Sequence, residues 1–329
     1  MNFNSVDISE TDIYNYDPQL LALLLYDHTT HKNIMWCTDD YANMGIGYRA
    51  GDEIKIELII GENDRLIVPR ALKPKEQQRS RTRVKAEVFT PTWLCNEMIN
   101  DIDEATVGRP NVFNTSYPDR TWTPVPGPIE LSDKVTWQDY VRYTRLEITC
   151  GEAPFLVSRY DTVSGKSIPV PERIGMLDRK LRLIAENIDD YGQWLKWVKI
   201  AYQNIYGYEW QGDNLLLARE TLLFTFIDYQ VEKFGPDYPI RRETLRDIAY
   251  IISWNLWQMD GLKCVVPNSC GMKPSSQQSI FEEPQMEPCR GCLKDDIRAH
   301  NGIYTYIRDW SIEDEEKGKV RFVDLMKKK

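Results

Sequence analysis

The sequence lacks a basic excess: 41 Lys and Arg stand against 50 Asp and Glu, for a net charge of -9. A protein that grips a long stretch of duplex by itself usually carries a positive excess, because phosphate contacts dominate affinity. Any nucleic-acid contact here therefore falls to a local patch or to a second chain. No apolar run reaches membrane-spanning length, and the opening MNFNSVDISETDIYNYD has neither a basic n-region nor an apolar h-region. These absences predict no membrane contact and a cytoplasmic location. Cysteine is sparse and odd in number, with seven residues; without an export signal this predicts reduced thiols or metal ligands and argues against a disulfide framework. Internal repeats and low-complexity tracts are also missing.

What is present can build a core. A chain of 329 residues that is 42% hydrophobic and 11% aromatic has room for one large or two modest domains. Residues 1–80 mix a short helical pattern, DPQLLALLLYDH, with strand-like runs such as EIKIELII and RLIVPRAL, and read as a small N-terminal accessory unit. The basic run holding Lys73, Lys75, Arg79, Arg81, Arg83 and Lys85 reads as a solvated linker or, less often, a phosphate track. It leads to a Pro-initiated helix starting near Thr92. Residues 105–136, with PNVFNTSYPDRTWTPVPGP at their centre, have the composition of an extended surface loop.

From Trp137 the pattern becomes regular: helix, strand (RLEIT), loop, two helices, strand (IYGYEW), two more helices, then a strand at NLWQMDGL. Strands alternating with long helices predict an α/β fold with a parallel sheet covered on both faces, and such sheets bind ligands at the carboxyl ends of their strands. Three strand ends hold acids. LEITCGEAPFLVSRYD follows the first strand with a turn of small residues, Cys150, Gly151 and Ala153, that admits a ligand to the backbone. Glu209 ends the second strand just before Gly212-Asp213, where an acid can accept both hydroxyl hydrogens of a ribose. Asp260 lies beside a small turn after the third. Taken singly, each acid is more often a helix cap or a solvated turn than a ligand contact.

Together these residues carry a family resemblance. Glu147 to Leu156, E-I-T-C-G-E-A-P-F-L, resembles without a gap the D-P-A-C-G-[ST]-G-G-F-L motif of the modification subunits of restriction-modification systems, the N6-adenine DNA methyltransferases. Phe89-Thr90-Pro91 resembles the family's F-T-P segment, which closes over the methionine part of S-adenosylmethionine. Glu209 falls at the family's ribose-binding acid and Asp260 at its adenine contact. The resemblance spans roughly residues 84–262, with its motifs in the family's order. It implies a Rossmann-like S-adenosylmethionine-dependent methyltransferase domain over 81–263. The cofactor would be held by Phe89, Thr90, Pro91, Glu147, Cys150, Gly151, Phe155, Glu209 and Asp260, with Glu147 facing the ammonium. Two family glycines are replaced by Ala153 and Pro154, the first acid is Glu, and Glu152 brings a charge into the loop.

The family's catalytic tetrapeptide, [DNS]-P-P-[YFW], is missing from the chain. In the family its first side chain and a proline carbonyl accept hydrogen bonds from the target amine while the aromatic ring stacks on the flipped base. The nearest string, VVPNSC, offers Asn268 after Pro267 with no aromatic residue following. The C-terminal GKVRFVDLMKKK reads as a strand and basic tail over 301–329, and in the family a buried strand precedes the tetrapeptide. The expectation is a cofactor-binding subunit whose catalytic and target-reading parts lie on a partner chain, with DNA as substrate. A degenerate, non-enzymatic interaction module and a complete methyltransferase acting through Asn268 are the alternatives.

Residues 264–300 hold Cys264, Cys270, Cys289, Cys292 and His300 in a stretch rich in Pro, Ser and Gln. Such a segment has too few apolar residues for its own core, and a tetrahedral zinc would organise it. Cys289-Arg-Gly-Cys292 has zinc-knuckle spacing, and Cys270 with His300 or Cys264 could complete four ligands. Free thiols in a loop are the other reading.

Overall fold

The computed structural model describes residues 6–85, 87–274 and 286–326. The chain opens with α1 (Glu10–Tyr16) and α2 (Pro18–Leu25), followed by a short antiparallel pair, β1 (Tyr26–Asp27) and β2 (Lys32–Asn33). Asp17 starts α2: its carboxylate accepts the Gln19 N–H at 3.1 Å, and Pro18 takes the first helical position, where a missing N–H costs nothing. The expected strands at EIKIELII and RLIVPRAL are absent. Ile56–Leu58, Gly61–Asn63 and Arg70–Leu72 form single 3-10 turns instead, because apolar alternation without a neighbouring strand to pair leaves the backbone to close local bonds.

Next come α3 (Lys75–Lys85), α4 (Thr92–Val107), the hairpin β3 (Asn114–Ser116) and β4 (Trp122–Pro124), and α5 (Trp137–Arg142). The basic run is thus largely helical, and the expected extended loop contains a hairpin. Val112, Phe113, Ile129 and Val135 of this region are buried with Tyr140 and Leu183. Then follow β5 (Arg145–Glu147), α6 (Met176–Asn187), α7 (Tyr191–Gln203), β6 (Ile205–Glu209), α8 (Gly212–Phe234), α9 (Arg242–Asn255) and β7 (Leu256–Gln258).

β5, β6 and β7 form a parallel sheet in that order, with Arg145 opposite Ile205 and Gly207 opposite Leu256. Alternation along the strands divides the two faces. Ile205 and Leu256 join the large core with Leu177, Leu181, Val198, Leu222 and Ile252 of the helices. Tyr208 and Trp257 point the other way, into a cluster with Met259, Cys264, Ile307, Phe322 and Val323. One face is therefore covered by helices and the other by the C-terminal segment.

That segment contains β8 (Lys273–Pro274) paired with β9 (Met286–Glu287), then α10 (Arg290–Lys294), and β10 (Tyr306–Arg308) paired antiparallel with β11 (Lys319–Arg321). The expected strand RFVDL is corrected here. Only Arg321 of it is extended, Phe322–Leu325 is a helical turn, and none of it joins the parallel sheet. Phe322 and Val323 are adjacent and both buried, a pattern a two-sided strand facing solvent does not give.

The N-terminal unit is not free-standing. Leu20, Leu21, Leu24 and Leu25 are fully buried in the same core as the sheet helices, each stabilising by roughly 1.5–3 kcal/mol. Buried Arg219 of α8 donates to the carbonyls of Leu24, Tyr26, Ser253 and Leu256, tying that unit to the base of β7. Arg246 of α9 forms a two-bond ion pair with Asp17 at 2.6 and 3.0 Å. No described helix is long and apolar enough to cross a membrane.

Candidate functional site

A cavity of about 620 Å³ opens at the carboxyl ends of β5 and β6. Its floor is the loop after β5. There Thr149, Gly151 and Ala153 have φ of 48°, 55° and 62°, a left-handed conformation that costs a non-glycine residue on the order of 1–3 kcal/mol. At Gly151 an added Cβ would stand 3.1 and 3.3 Å from ring atoms of Phe89, so glycine serves both the conformation and the close approach of the opposite wall. Gly207 on β6 is also closely approached, since a Cβ there would stand 3.2 Å from Cys150 Sγ.

Two buried carboxylates hold this floor. Glu147 accepts the Phe155 and Leu156 N–H groups at 3.3 and 3.1 Å, closing the loop on the strand it leaves. Glu209 accepts the Gly151 N–H at 2.8 Å and the Gln211 N–H at 3.1 Å. Burial pushes Glu147 up to about 8 against the pull of its two amides, and the charge of Glu209 adds to the rise. Burial also raises Glu209. Glu87 contributes a third carboxylate to the lining, and no Lys, Arg or His lines the cavity among the described residues. With Glu147 and Glu209 ionised the cavity favours a cation, while Glu87 adds little because Arg81 pairs with it at 2.7 Å.

The opposite wall comes from the F-T-P segment and the start of α8. Phe89 and Thr90 line the cavity. Thr90 is held by its carbonyl, which accepts from Thr162 Oγ1, and Asp161 receives the Thr92 N–H at 2.9 Å and so anchors the start of α4. The stretch read as a linker is in fact pinned by a buried ion cluster. Arg81 bonds Glu87 at 2.7 Å and Asp213 at 2.9 Å, and Lys73 meets Asp213 at 3.3 Å. Burial alone would raise Asp213; the charges of Lys73 and Arg81, with bonds from Arg81 and Tyr41, overcome it and hold the carboxyl well below the usual range. Gln211 and Asn214 amides donate to Glu87 at 3.2 and 3.3 Å, joining the segment to α8.

Of the expected cofactor residues, Phe89, Thr90, Glu147, Cys150, Gly151, Phe155 and Glu209 line this one cavity. Pro91 and Asp260 do not. Pro91 caps α4. Asp260 closes the turn after β7: its carboxylate accepts the Leu262 N–H at 3.0 Å and pairs with Lys263 at 3.4 Å, and its backbone bridges to Val265. Glu152 also turns away from the cavity, accepting the Arg70 N–H at 2.6 Å and the Tyr160 hydroxyl at 2.7 Å. Sequence reading missed Cys37, Glu87, Trp210, Gln211 and Asn214 as lining residues. Glu87 was the most findable, standing two residues before Phe89; Cys37 comes from a loop distant in sequence with no local signal.

Asn268 is exposed, with φ of 60°, in a turn closed by the Ser269 N–H to the Val266 carbonyl at 3.1 Å. It is a turn residue leading to Cys270 and lies outside the cavity lining.

Cys270, Cys289, Cys292 and His300 converge, with all four ligand atoms within 4.8 Å of one another. Cys270 Sγ lies 3.5 Å from Cys292 Sγ and 3.5 Å from His300 Nδ1, and that nitrogen is 3.5 Å from Cys289 Sγ and 3.7 Å from Cys292 Sγ. Sulfur at about 2.3 Å and nitrogen at about 2.0 Å around a tetrahedral ion stand about 3.5–3.8 Å apart, so the four fit such an ion. The surroundings support the arrangement. The Asn301 N–H donates to Cys289 Sγ at 3.3 Å, and a Cβ on Gly291 would collide with His300 N and Nδ1 at 2.6 Å. Cys264 is the exception among the candidates; it is buried in the apolar cluster beneath Tyr208 and Trp257 and takes no part.

Comparisons of the chain with protein-family models, with curated proteins and with solved structures return no match.

Proposed function

We propose that this chain is the S-adenosylmethionine-binding subunit of a DNA adenine-N6 methyltransferase of restriction-modification type, with the catalytic tetrapeptide and target recognition supplied by a second chain. One observation carries the reading. The glycine turn, Glu147, Glu209 and the Phe89-Thr90 segment, which are 120 residues apart at their extremes by number (209 - 89), line a single cavity that is rich in carboxylate and free of described cations. Such a lining suits a ligand carrying a sulfonium and an ammonium. Glu209, at a strand end beside the turn, is placed to take ribose hydroxyls in exchange for its present amide bonds. When bound, the cofactor supplies an activated methyl group; the residues of this chain hold it, orient it and exclude water.

Two further features support a split enzyme. No [DNS]-P-P-[YFW] occurs in the sequence, and the residue nearest that motif, Asn268, is exposed in a turn. β5 has β6 on one side and no strand on the other among the described residues, while Leu146 and Ile148 beside that edge are 41% and 64% exposed. An open edge with apolar neighbours suits a strand from a partner. A tritiated-methyl transfer assay on mixed-sequence DNA tests the proposal: no transfer by this chain alone, and transfer with a partner bearing the tetrapeptide. Robust transfer by this chain alone would refute the division of labour. Cofactor binding with no transfer in any pairing would favour a degenerate interaction module.

At the Cys270, Cys289, Cys292 and His300 site we propose a structural zinc. Three thiolates and an imidazole with no described acid among them match zinc among common ions, and four protein donors leave no open position for catalysis.

A further inference from the structure

Helix α3 carries basic side chains on two faces with opposite fates. Toward the protein, Arg81, together with Lys73 just before the helix, is buried and fully engaged by Asp213, Glu87 and Asp40. Toward solvent, Lys75, Arg79 and Arg83 are exposed and make no ion pair among the described residues. They recur every fourth position, which places them on one face at about 6 Å steps along the axis. In a chain with nine more acids than bases, three solvated cations in succession form a local positive stripe that attracts an anion, although Glu76 stands on the same helix.

The stripe is also shaped and placed. With Arg70, Gln78 and Thr82 these three residues line a concavity of about 360 Å³. Gln78 and Thr82 lie between the charges and shape the concavity, with the Gln78 amide bonded to the Lys73 carbonyl at 2.8 Å and the Thr82 hydroxyl to the Gln78 and Glu87 carbonyls at 2.9 and 3.0 Å. Arg70 links the concavity to the cofactor cavity: one of its terminal nitrogens donates to Thr82 Oγ1 at 2.8 Å, while its guanidinium sits 5.3 Å from the centroid of the Phe89 ring. Arg83 precedes Glu87 of the cavity lining by four residues.

We propose that the Lys75, Arg79 and Arg83 face of α3 is a track for the phosphodiester backbone of duplex DNA, leading the strand to the rim of the cavity. The inference rests on the reading of this chain as a DNA-acting subunit and names the surface that does the gripping. Duplex DNA presents one charge per roughly 1.7 Å of axis, so a stripe about 12 Å long faces several phosphates. An anionic membrane is disfavoured as the occupant, because α3 has Val84 as its only apolar residue and so no face to insert.

The test is fluorescence anisotropy of a mixed-sequence duplex oligonucleotide with the full chain across a salt series. It compares the wild type with the triple variant Lys75→Gln, Arg79→Gln, Arg83→Gln and a charge-matched control, Lys55→Gln, Lys134→Gln, Lys196→Gln. The expected result is wild-type binding that weakens with salt, a loss of at least about tenfold in the α3 variant, and a slope of log K against log salt shallower by about 2–3. The control should keep wild-type behaviour. Equal loss in both triples, no loss in the α3 variant, no DNA binding by the wild type, or binding to phosphatidylserine vesicles instead of DNA would each overturn the track. Calorimetry with S-adenosylmethionine separates this from the cofactor reading: the α3 variant should bind cofactor normally, and a wild type that failed to bind it while keeping stripe-dependent DNA binding would count against the cofactor reading alone.

Discussion

Glu209 Oε2 accepts the backbone N–H of Gly151 at 2.8 Å, so the acid ending the second parallel strand clasps the glycine turn that follows the first. This bond fixes the spacing of the turn against β6 and leaves a buried carboxylate facing the cavity from the strand end. A ligand that takes over Glu209 must offer donors at least as good as the amide it displaces, which vicinal hydroxyls do.

If the cavity holds the proposed cofactor, the raised Glu147 carboxyl makes that binding proton-linked. Its value of about 8 means that it is mostly protonated at pH 7, and a cation entering the cavity favours the ionised form. Binding therefore releases a proton, and affinity rises with pH up to about 8. Calorimetry at pH 7 in buffers of different ionisation enthalpy should give different apparent heats, and Glu147→Gln should remove that part of the difference. Identical heats in both buffers for the wild type would contradict the linkage.

Zinc should be stoichiometric with the chain, and its removal should unfold the segment around Cys270, Cys289, Cys292 and His300 and leave the sheet core standing. Metal analysis of purified protein, and of Cys289→Ser and Cys292→Ser variants, checks the content. Hydrogen exchange then locates the consequence, with lost protection expected around α10 and β8 and little change in α6 to α9. Metal-free protein protected at α10 would remove the zinc assignment.

Much of this was legible in advance. Helices α6, α7 and α9 show apolar periodicity because each packs one side on the core, and α8 reads as a long apolar helix because it is buried almost all round from Gly212 to Gln230. The helix ends carry readable signals such as Asp190, whose side chain accepts the Gln193 N–H. The glycine turn and Glu209 were readable because close backbone approach demands small residues at fixed places. What failed was nonlocal. EIKIELII alternates like a strand, yet Ile54 and Ile59 fill the core from irregular backbone. The burial of Lys73 and Arg81 depends on Asp213, 140 and 132 positions away (213 - 73 and 213 - 81), and a run of bases shows no such pairing. Asp260 was placed by order along the chain, but order does not reveal that the Leu262 amide and Lys263 occupy its carboxylate.

Stability should fall as pH rises because of a second acidic pair away from the cavity. Glu10 of α1 and Glu220 of α8 are fully buried, and none of their carboxylate oxygens makes a well-formed hydrogen bond. Burial pushes Glu10 up to about 8, with Asp64 and Asp7 adding to it, and raises Glu220 well above its ordinary value, with Glu10 adding. A folded-state value above the unfolded one contributes stability that is complete below about 4.5 and is lost as pH rises through about 8. Thermal melts from pH 5 to 9 should show a declining Tm, and Glu220→Gln should flatten the decline and raise Tm at pH 9. A Tm that climbs over that range in the wild type would reverse the sign and refute the account.

The most direct test of the cavity as a cofactor site is titration calorimetry of the folded chain with S-adenosylmethionine, set beside Gly151→Arg and Glu209→Ala, with thermal melts showing that both variants remain folded. Saturable binding is expected for the wild type. Gly151→Arg should abolish it by filling the floor beneath Phe89, and Glu209→Ala should weaken it by about 1–3 kcal/mol through loss of charge-assisted hydrogen bonds. Absence of binding to the folded wild type, or wild-type affinity in both variants, would contradict the claim that this cavity holds the cofactor.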